Sequence, residues 1–376
     1  MNIKSLLLGS AAALVAVSGA RAADAVVIAE PEPVEYVRVC DVYGTGFYYM
    51  PGTETCLKVS GYVRYDIGVG DLFGLQDVLD KEDFANGILN TNDTYYKRAR
   101  AALRLDARTE TELGTLRAYF QVNFDWDSTT TGAFADIDGD GIEEQVGVFS
   151  TTTSGQAKLN HAWIELGGFK IGKTDSLFTT FTDYAGSVIN DDFAVPFGPY
   201  DTHTIQYSFD AGNGFTAAIA LEEGAGLTYT IDDYVPHVTG GVGYTAGWGA
   251  IRVVAGYDSV WEEYAIKAKL DIKATEALSL FVMGGFKDDD VGEPNFYGNW
   301  GGDWAIWGGG RWVVSPKAAV NVQLAYDDYE NFSAVANVDY ELVPGFTITP
   351  EIAYGENFDV DDSDAFGGFI RFQRNF

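Results

Sequence analysis

The sequence predicts an all-β protein, a 16-stranded antiparallel transmembrane β-barrel, on three observations. The chain opens on an export signal, and no later apolar run is long enough for a membrane helix. From residue 57 onward, apolar and polar residues alternate with a period of two, which sends them to opposite faces of strands. The candidate strands are joined by tight turns and by mostly longer acidic segments in alternation, as in barrels whose turns and loops lie on opposite sides of a membrane.

Residues 1–22 read as a signal peptide. Lys4 supplies a positive start, residues 6–17 an apolar run broken only by Gly9 and Ser10, and Ala20-Arg21-Ala22 a small-x-small cleavage site. The run falls short of the about 20 apolar residues a spanning helix needs; an uncleaved anchor is the alternative. With Ala23 as the mature start, 22 basic side chains stand against 55 acidic ones, a net charge of −33. That acidity argues against nucleic acid as a partner, because phosphate binding needs Lys/Arg surfaces. Mean hydropathy is −0.05, the value of a soluble protein and equally of a barrel, whose lipid-facing and water-facing residues cancel in any window. Aromatics at 14% and 44 Gly, against 3 Met and 10 Pro, suit twisted strands bounded by aromatic girdles.

Residues 23–56 read as a periplasmic N-terminal segment. Glu30-Pro31-Glu32-Pro33 makes its start extended and irregular. Cys40 and Cys56 then enclose Gly44, Gly46, Pro51 and Gly52 together with Tyr43, Phe47, Tyr48 and Tyr49. Two buried thiols are one reading of this lobe; export into an oxidising compartment favours a disulfide.

Residues 57–376 read as the barrel. In 57–69, Leu57, Val59, Val63, Tyr65, Ile67 and Val69 oppose Lys58, Ser60, Tyr62, Arg64 and Asp66. Ala99, Ala101, Leu103, Leu105 and Ala107 then oppose Arg98, Arg100, Arg104 and Asp106, and Leu116 to Trp126 repeats the alternation against Arg117 to Asp125. A helix would scramble these sets. Further strands are expected near 157–166, 169–173, 202–209, 215–222, 237–246, 250–258, 262–273, 277–287, 303–314, 318–327, 332–342, 346–354 and 366–376. The span 169–173 is short, and Gly308, Gly309 and Gly310 blur 303–314. Pro350 must sit where its missing N–H does no harm, a bulge being one such place. Tight turns are expected at 108–114, 167–168, 210–214, 247–249, 274–276, 315–317 and 343–345. The other connections are 71–94, 127–156, 174–201, 223–236, 287–302 and 355–365, with 259–261 and 328–331 short. An even strand count places both barrel ends on the periplasmic side.

These residues resemble those of the alphaproteobacterial general porins of the Brucella type. The resemblance spans essentially the whole chain and is carried by residues 40–57 (CDVYGTGFYYMPGTETCL), by Lys58-Val-Ser-Gly-Tyr-Val-Arg-Tyr-Asp66, by Lys170-Ile-Gly-Lys-Thr-Asp-Ser-Leu-Phe178 and by the terminal Phe376. It implies a homotrimer of barrels in the bacterial outer membrane, among its lipids and lipopolysaccharide, passive diffusion of small hydrophilic solutes and ions, and a third external loop folded into each lumen. It also implies that Phe376 is read by the barrel-assembly machinery. Phe372 fits that signal, whereas Arg374 falls on the same face where an apolar residue is commoner.

The candidate site is a constriction. Arg64, Arg98, Arg100, Arg104 and Arg117 share the polar faces of the first three strands, and strands lie ~4.8 Å apart, so these side chains would form one positive patch on the lumen wall. The segment 174–201, if it folds inward, would set Asp175, Asp183, Asp191 and Asp192 opposite them. Opposed charges across a narrow aqueous pore sieve solutes by charge; the alternative is that the arginines are ordinary solvated wall residues.

Other chemistry is sparse. Asp136, Asp138, Asp140 and Gly141 open like a calcium loop, but Gly147 stands where the bidentate Glu belongs. The favoured reading is a solvated external loop and no metal site. His161, His203 and His237 are far apart and form no metal-ligand pair. No motif supports a Ser–His–Asp site, although such triads assemble in space. The expectation is therefore no enzyme and no cofactor.

Overall fold

The structure, a computed structural model, describes residues 38–136, 143–155, 157–288 and 293–376. Among them the strands are β1 (Tyr48–Tyr49), β2 (Cys56–Val69), β3 (Leu75–Leu79), β4 (Thr91–Thr94), β5 (Tyr96–Thr111), β6 (Gly114–Ala135), β7 (Glu144–Ser154), β8 (Lys158–Leu166), β9 (Phe169–Asp175) and β10 (Asp201–Asp210). The second half adds β11 (Phe215–Glu222), β12 (His237–Ala246), β13 (Gly249–Asp258), β14 (Glu263–Lys273), β15 (Leu278–Lys287), β16 (Trp304–Ser315), β17 (Ala318–Asp327), β18 (Asn331–Val343), β19 (Phe346–Asn357) and β20 (Ala365–Asn375).

Sixteen of these strands form a closed antiparallel barrel: β2, β5, β6 and β8 through β20 in ring order. The seam is β20 against β2, from Tyr62↔Asn375 to Val69↔Gly368. The backbones of Gly61 and Phe376 exchange both hydrogen bonds, at 3.0 Å each, so the C-terminal residue is knitted into the first barrel strand. Closure leaves no free edge, the condition for a sheet to cross lipid. Among the described residues no helix is long and apolar enough to cross a membrane.

Burial is inverted relative to a water-soluble sheet. Along β14, Glu263, Ala265, Lys267 and Lys269 are buried while Tyr264, Ile266 and Ala268 are exposed. Lys267 is 0% exposed and Ile266 46%. The apolar set therefore faces outward and the polar set faces the interior.

All sixteen expected strands are present. The connections 71–94 and 127–156, read from the sequence as loops, are partly strand. β6 pairs with β8 only from Arg117 to Asn123, then continues against β7 from Trp126↔Ser154 to Ala135↔Glu144. The β-branched runs at 129–131 and 151–153 support this second hairpin. β3 joins it through Val78↔Val148, and Phe84 meets Phe149 edge-on with ring centres 4.9 Å apart. Pro350 does not sit at a bulge. It lies in β19 opposite Ile370 of β20, and on its other side the ladder to β18 lapses between Asn337↔Glu351 and Tyr340↔Ile348. Its absent N–H falls in that gap.

Cys40 and Cys56 are bridged, with Cα atoms 6.0 Å apart. Phe47, Tyr43 and Tyr49 pack on the bridge. Lys58 donates to Thr45 O at 3.1 Å, Tyr43 donates to Glu110 at 2.8 Å, and the Arg108 guanidinium lies 5.0 Å from the Phe47 ring centre. The lobe is thereby bound to the inward faces of β2 and β5.

Candidate functional site: two charged faces of one lumen

The first face is built by β20, β2, β5 and β6, whose registers place Arg64 opposite Arg100, Arg100 opposite Asp125, Arg104 opposite Gln121 and Arg108 opposite Arg117. The five predicted arginines come together, but not as bare positive charge. Arg98 and Arg371 share the Asp66 carboxylate at 2.6 and 2.8 Å, and Arg108 and Arg117 share that of Asp106, both at 2.8 Å. Arg100 forks onto Asp125 at 2.6 and 2.7 Å. Paired in this way, an arginine contributes a dipole whose field falls off faster than that of a charge. Arg64 and Arg104 instead donate to amide oxygens, Gln373 Oε1 at 2.8 Å and Gln121 Oε1 at 2.6 Å. Both guanidinium groups stand over the Tyr62 ring, 4.5 and 5.4 Å from its centre. The wall keeps a net positive charge because two carboxylates each serve two arginines.

Reading the sequence missed Arg108, Arg371 and the three partnering acids as members of this network. Asp66, Asp106 and Asp125 were visible on the same polar faces as the arginines. Arg371 was not, because only closure of the barrel brings residue 371 to residue 66.

The opposite face is built by residues 176–200. Ser176 caps the short helix Leu177–Thr182 through its hydroxyl, which accepts from Phe178 N at 3.1 Å. Polar residues of the inward strand faces then hold the segment at successive points. Glu222 accepts from Ser176 Oγ and Leu177 N, both at 2.7 Å, and from Tyr297 Oη at 3.1 Å. Lys267 donates to Phe197 O at 2.5 Å and Lys269 to Tyr184 O at 2.6 Å. Trp307 donates to Val195 O at 2.8 Å, and Gln323 donates to Asp191 O at 2.5 Å. Glu351 accepts from Ile189 N, Asn190 N and Asn190 Nδ2 at 2.5, 3.1 and 2.7 Å. Gly198, at φ 147°, allows the close approach: a Cβ there would lie 2.6 Å from Thr179 Oγ1. Apolar packing fills the same side, with Phe178, Val195, Phe197, Met283, Tyr297, Trp300 and Trp307 in one buried cluster.

The four predicted aspartates divide. Asp191 lines a cavity of about 580 Å³ together with Arg64, Arg311 and Arg371. Burial first, then the neighbouring Asp192 and Glu351 charges, pushes its carboxyl up to about 7, against an opposing pull from Lys269. Asp192 and Asp191 both raise the Tyr200 hydroxyl, after burial. Asp175 sits in the ladder opposite Asp201 and accepts from Tyr184 Oη at 2.8 Å. Asp183 is exposed at φ 65°, its carboxylate accepting from Tyr184 N at 3.0 Å. Asp175, Asp183 and Asp192 do not line the cavity that holds Arg64.

A Ser–His–Asp neighbourhood does assemble in space. His237 is fully buried, with Nδ1 3.2 Å from Asp258 and 3.3 Å from Ser259 Oγ. Yet Nδ1 accepts from Ser259 N at 2.9 Å and Nε2 stands 2.7 Å from Tyr229 O. That assigns the proton to Nε2, where the carbonyl takes it, and leaves no nitrogen to receive one from a nucleophile. The cluster ties residue 229 to the barrel. Among the described residues no group of His, Cys, Asp and Glu could hold a metal ion. Asp138, Asp140 and Gly141 of the calcium-like opening lie outside the described residues.

An apolar outer surface around a charged interior, closed without an edge, defines a transmembrane channel of the outer-membrane type. The porin subfamily profile matches residues 24–371. The chain is 51% identical to porin Omp2a of Brucella melitensis biotype 1 and 48% identical to porin Omp2b of Brucella suis biovar 1, each over the full length of both chains. Among solved structures, the outer-membrane channel DcaP of Acinetobacter baumannii superposes with a TM-score of 0.62 at 16% identity, covering 87% of this chain and 99% of that one. OprB of Pseudomonas putida gives 0.55 at 12% identity, over 85% and 94%; these two likenesses concern the fold. The chain belongs to the porin subfamily, in its Brucella-type branch, and is a general diffusion channel of the outer membrane.

Proposed function

We propose that solutes crossing this porin are sieved in the gap between the arginine wall and the segment 176–200. The supporting observation is the chain of anchors from Glu222 to Glu351, which holds that segment on the inward faces of β11, β14, β16, β17 and β19 and leaves to the passage the arginine-bearing stretch of β20, β2, β5 and β6, between the lobe at Lys58 and Arg108 and the contact of Phe73 with Phe369. Arg64, Arg98, Arg100, Arg104 and Arg117 line one side, with Arg108 and Arg371. Asp191 lines the other, while Asp175, Asp183 and Asp192 act from its margin. Small hydrophilic solutes and ions pass without chemical change, and the chain is not an enzyme: His237, its best-placed histidine, has both ring nitrogens engaged.

Residues 1–22 direct export, 23–56 form a periplasmic segment, and 57–376 the barrel. The family resemblance supports a homotrimer in contact with lipopolysaccharide and an assembly signal at Phe376, which is 60% exposed at the barrel rim. Arg374, on the lipid-facing side, turns its guanidinium to the Gly345 carbonyl at 3.3 Å, so the charge sits at the short-turn border where it is cheapest. Planar-bilayer reconstitution tests the proposal: stepwise currents whose selectivity responds to the arginines and to Asp191 are expected. Currents indifferent to all of them would place the constriction elsewhere.

A further inference from the structure

The segment 176–200 is fastened to the barrel wall through hydrogen bonds, but at one place it meets another loop. Past Val69, β2 runs into a helical turn, Gly70–Phe73. This turn bends over the inward faces of β2, β19 and β20, where Gly68, Gly355 and Gly367 are buried. A Cβ at Gly68 would lie 2.2 Å from Phe73 O, and one at Gly367 2.7 Å from the Phe73 ring and 2.9 Å from Leu72 Cβ. Gly355 makes similar room for the Phe193 ring, which a Cβ there would meet at 3.0 Å. The wall is shaped to receive the two loops. Backbone bonds pin the turn as well: Gly70 bridges to Gly367, and Gly70 O accepts from Gly74 N and Gln76 Nε2, both at 2.8 Å.

The Phe73 ring lies edge-on to Phe193 of the inner segment, with centres 6.0 Å apart, and to Phe369 of β20 at 5.6 Å. Leu72, Phe73 and Phe193 pack against Val188, Val335 and Ala353, all three of which are buried. On its other side the turn borders a cavity of about 310 Å³, which Tyr96, Arg98 and Asn190 also line. Phe73 thus stands between the inner segment and the arginine wall.

We propose that Phe73 is a positioning residue for permeation: it holds residues 188–193 against the wall from the outer side and so fixes that edge of the aperture. This role presupposes the constriction proposed above and adds to it a holder supplied by the first external loop. Glu351 and Gln323 hold the backbone at residues 189–191, whereas the side chains of Val188 and Phe193 depend on apolar partners. Without the Phe73 ring, Phe193 faces water on the passage side, and arrangements that bury it elsewhere gain in population.

Single-channel recording of the purified full-length porin in planar bilayers tests this role. Phe73→Ala should raise the time spent in substates above the wild-type conductance by roughly two- to tenfold, the population change one aromatic pair supports. Phe193→Ala should do the same from the other side, and the double variant should add nothing to either. Phe73→Met, which keeps an apolar side chain of similar volume, should retain the wild-type trace. Phe84→Ala, in the outer part of the same loop, should retain it too. A general weakening of the fold would not sort the variants in this way. Heat-modifiable gel mobility checks that each one folds, and Phe193→Ala decides the matter if Phe73→Ala does not fold. Folded alanine variants with wild-type substates, two single effects that add, or an equal effect of Phe84→Ala would overturn the role of Phe73. If Glu351→Ala still alters the conductance, the constriction itself stands; if Glu351→Ala also leaves it unchanged, both fall.

Discussion

The two sides of the lumen use charge in opposite ways. On the β11–β19 side, Glu222, Lys267, Lys269 and Glu351 are buried, and each holds at least one backbone group of the segment 176–200. On the β20–β2–β5–β6 side, arginines and aspartates bond to one another across strands and keep part of their surface in water. The first arrangement fixes a loop, because a buried charge with a backbone partner is costly to separate. On the proposed reading the second sets a field, because its members stay open to the lumen. A charged residue on an inward strand face can thus be a fastener or a selectivity element, and what it touches decides which.

The largest effect should come from breaking a fastener. Glu351→Ala strands two backbone N–H groups and the Asn190 amide, each worth about 1–3 kcal/mol if left unsatisfied. Residues 187–192 should detach, giving higher and noisier single-channel conductance with the barrel still folded. Conductance identical to wild type would show that the Glu351 contacts do not hold the constriction.

Next in size is the lobe beneath the arginine wall. Replacing Cys40 and Cys56 by Ala should cost about 2–4 kcal/mol, confined to residues 39–56. Limited proteolysis should then cut the lobe first while heat-modifiable mobility of the barrel is retained; simultaneous loss of both would mean that the bridge supports the barrel itself.

Smaller again is the effect of the wall charges. One charge about 6 Å from an ion in water-like surroundings is worth roughly 0.7 kcal/mol, or about threefold in permeability. Substituting Arg64, Arg98 and Arg100 together by Ser should make the channel several-fold more cation-selective. Neutralising Asp183, Asp191 and Asp192 should move the reversal potential the other way, with most of the change traceable to Asp191. Equal contributions from Asp183 would contradict its position outside the cavity.

The smallest effect is a single titration. The Asp191 carboxyl sits at about 7 in the fold, above its unfolded value of 3.8. Between those values the folded state binds the extra proton, so the loop contact is favoured at low pH and loses that contribution as pH rises through about 7. The same ionisation adds one negative charge to the passage. Cation selectivity should rise between about pH 6 and pH 8, and Asp191→Asn should abolish that step; an unchanged step in the variant would assign it to another group.

Much of this molecule was legible in one dimension. Period-two alternation and the spacing of turns marked out all sixteen barrel strands, because side-chain direction in a strand depends only on position parity. The hairpin β6–β7 escaped because its threonine-rich strands leave the barrel and lose the apolar set that betrays a lipid-facing wall.

What the sequence determined by itself was which residues face inward: Arg64, Arg98, Arg100, Arg104 and Arg117 were placed on one face by parity alone. Only the tertiary structure decided their partners. Arg371 reaches Asp66 across 305 positions because the ring closes there, and Asp191 meets Arg64's cavity because Glu351 and Gln323 hold residues 189–191 from β19 and β17. Parity is a local property of the backbone. Pairing of charges depends on which strands and loops closure brings together, and nothing local encodes it.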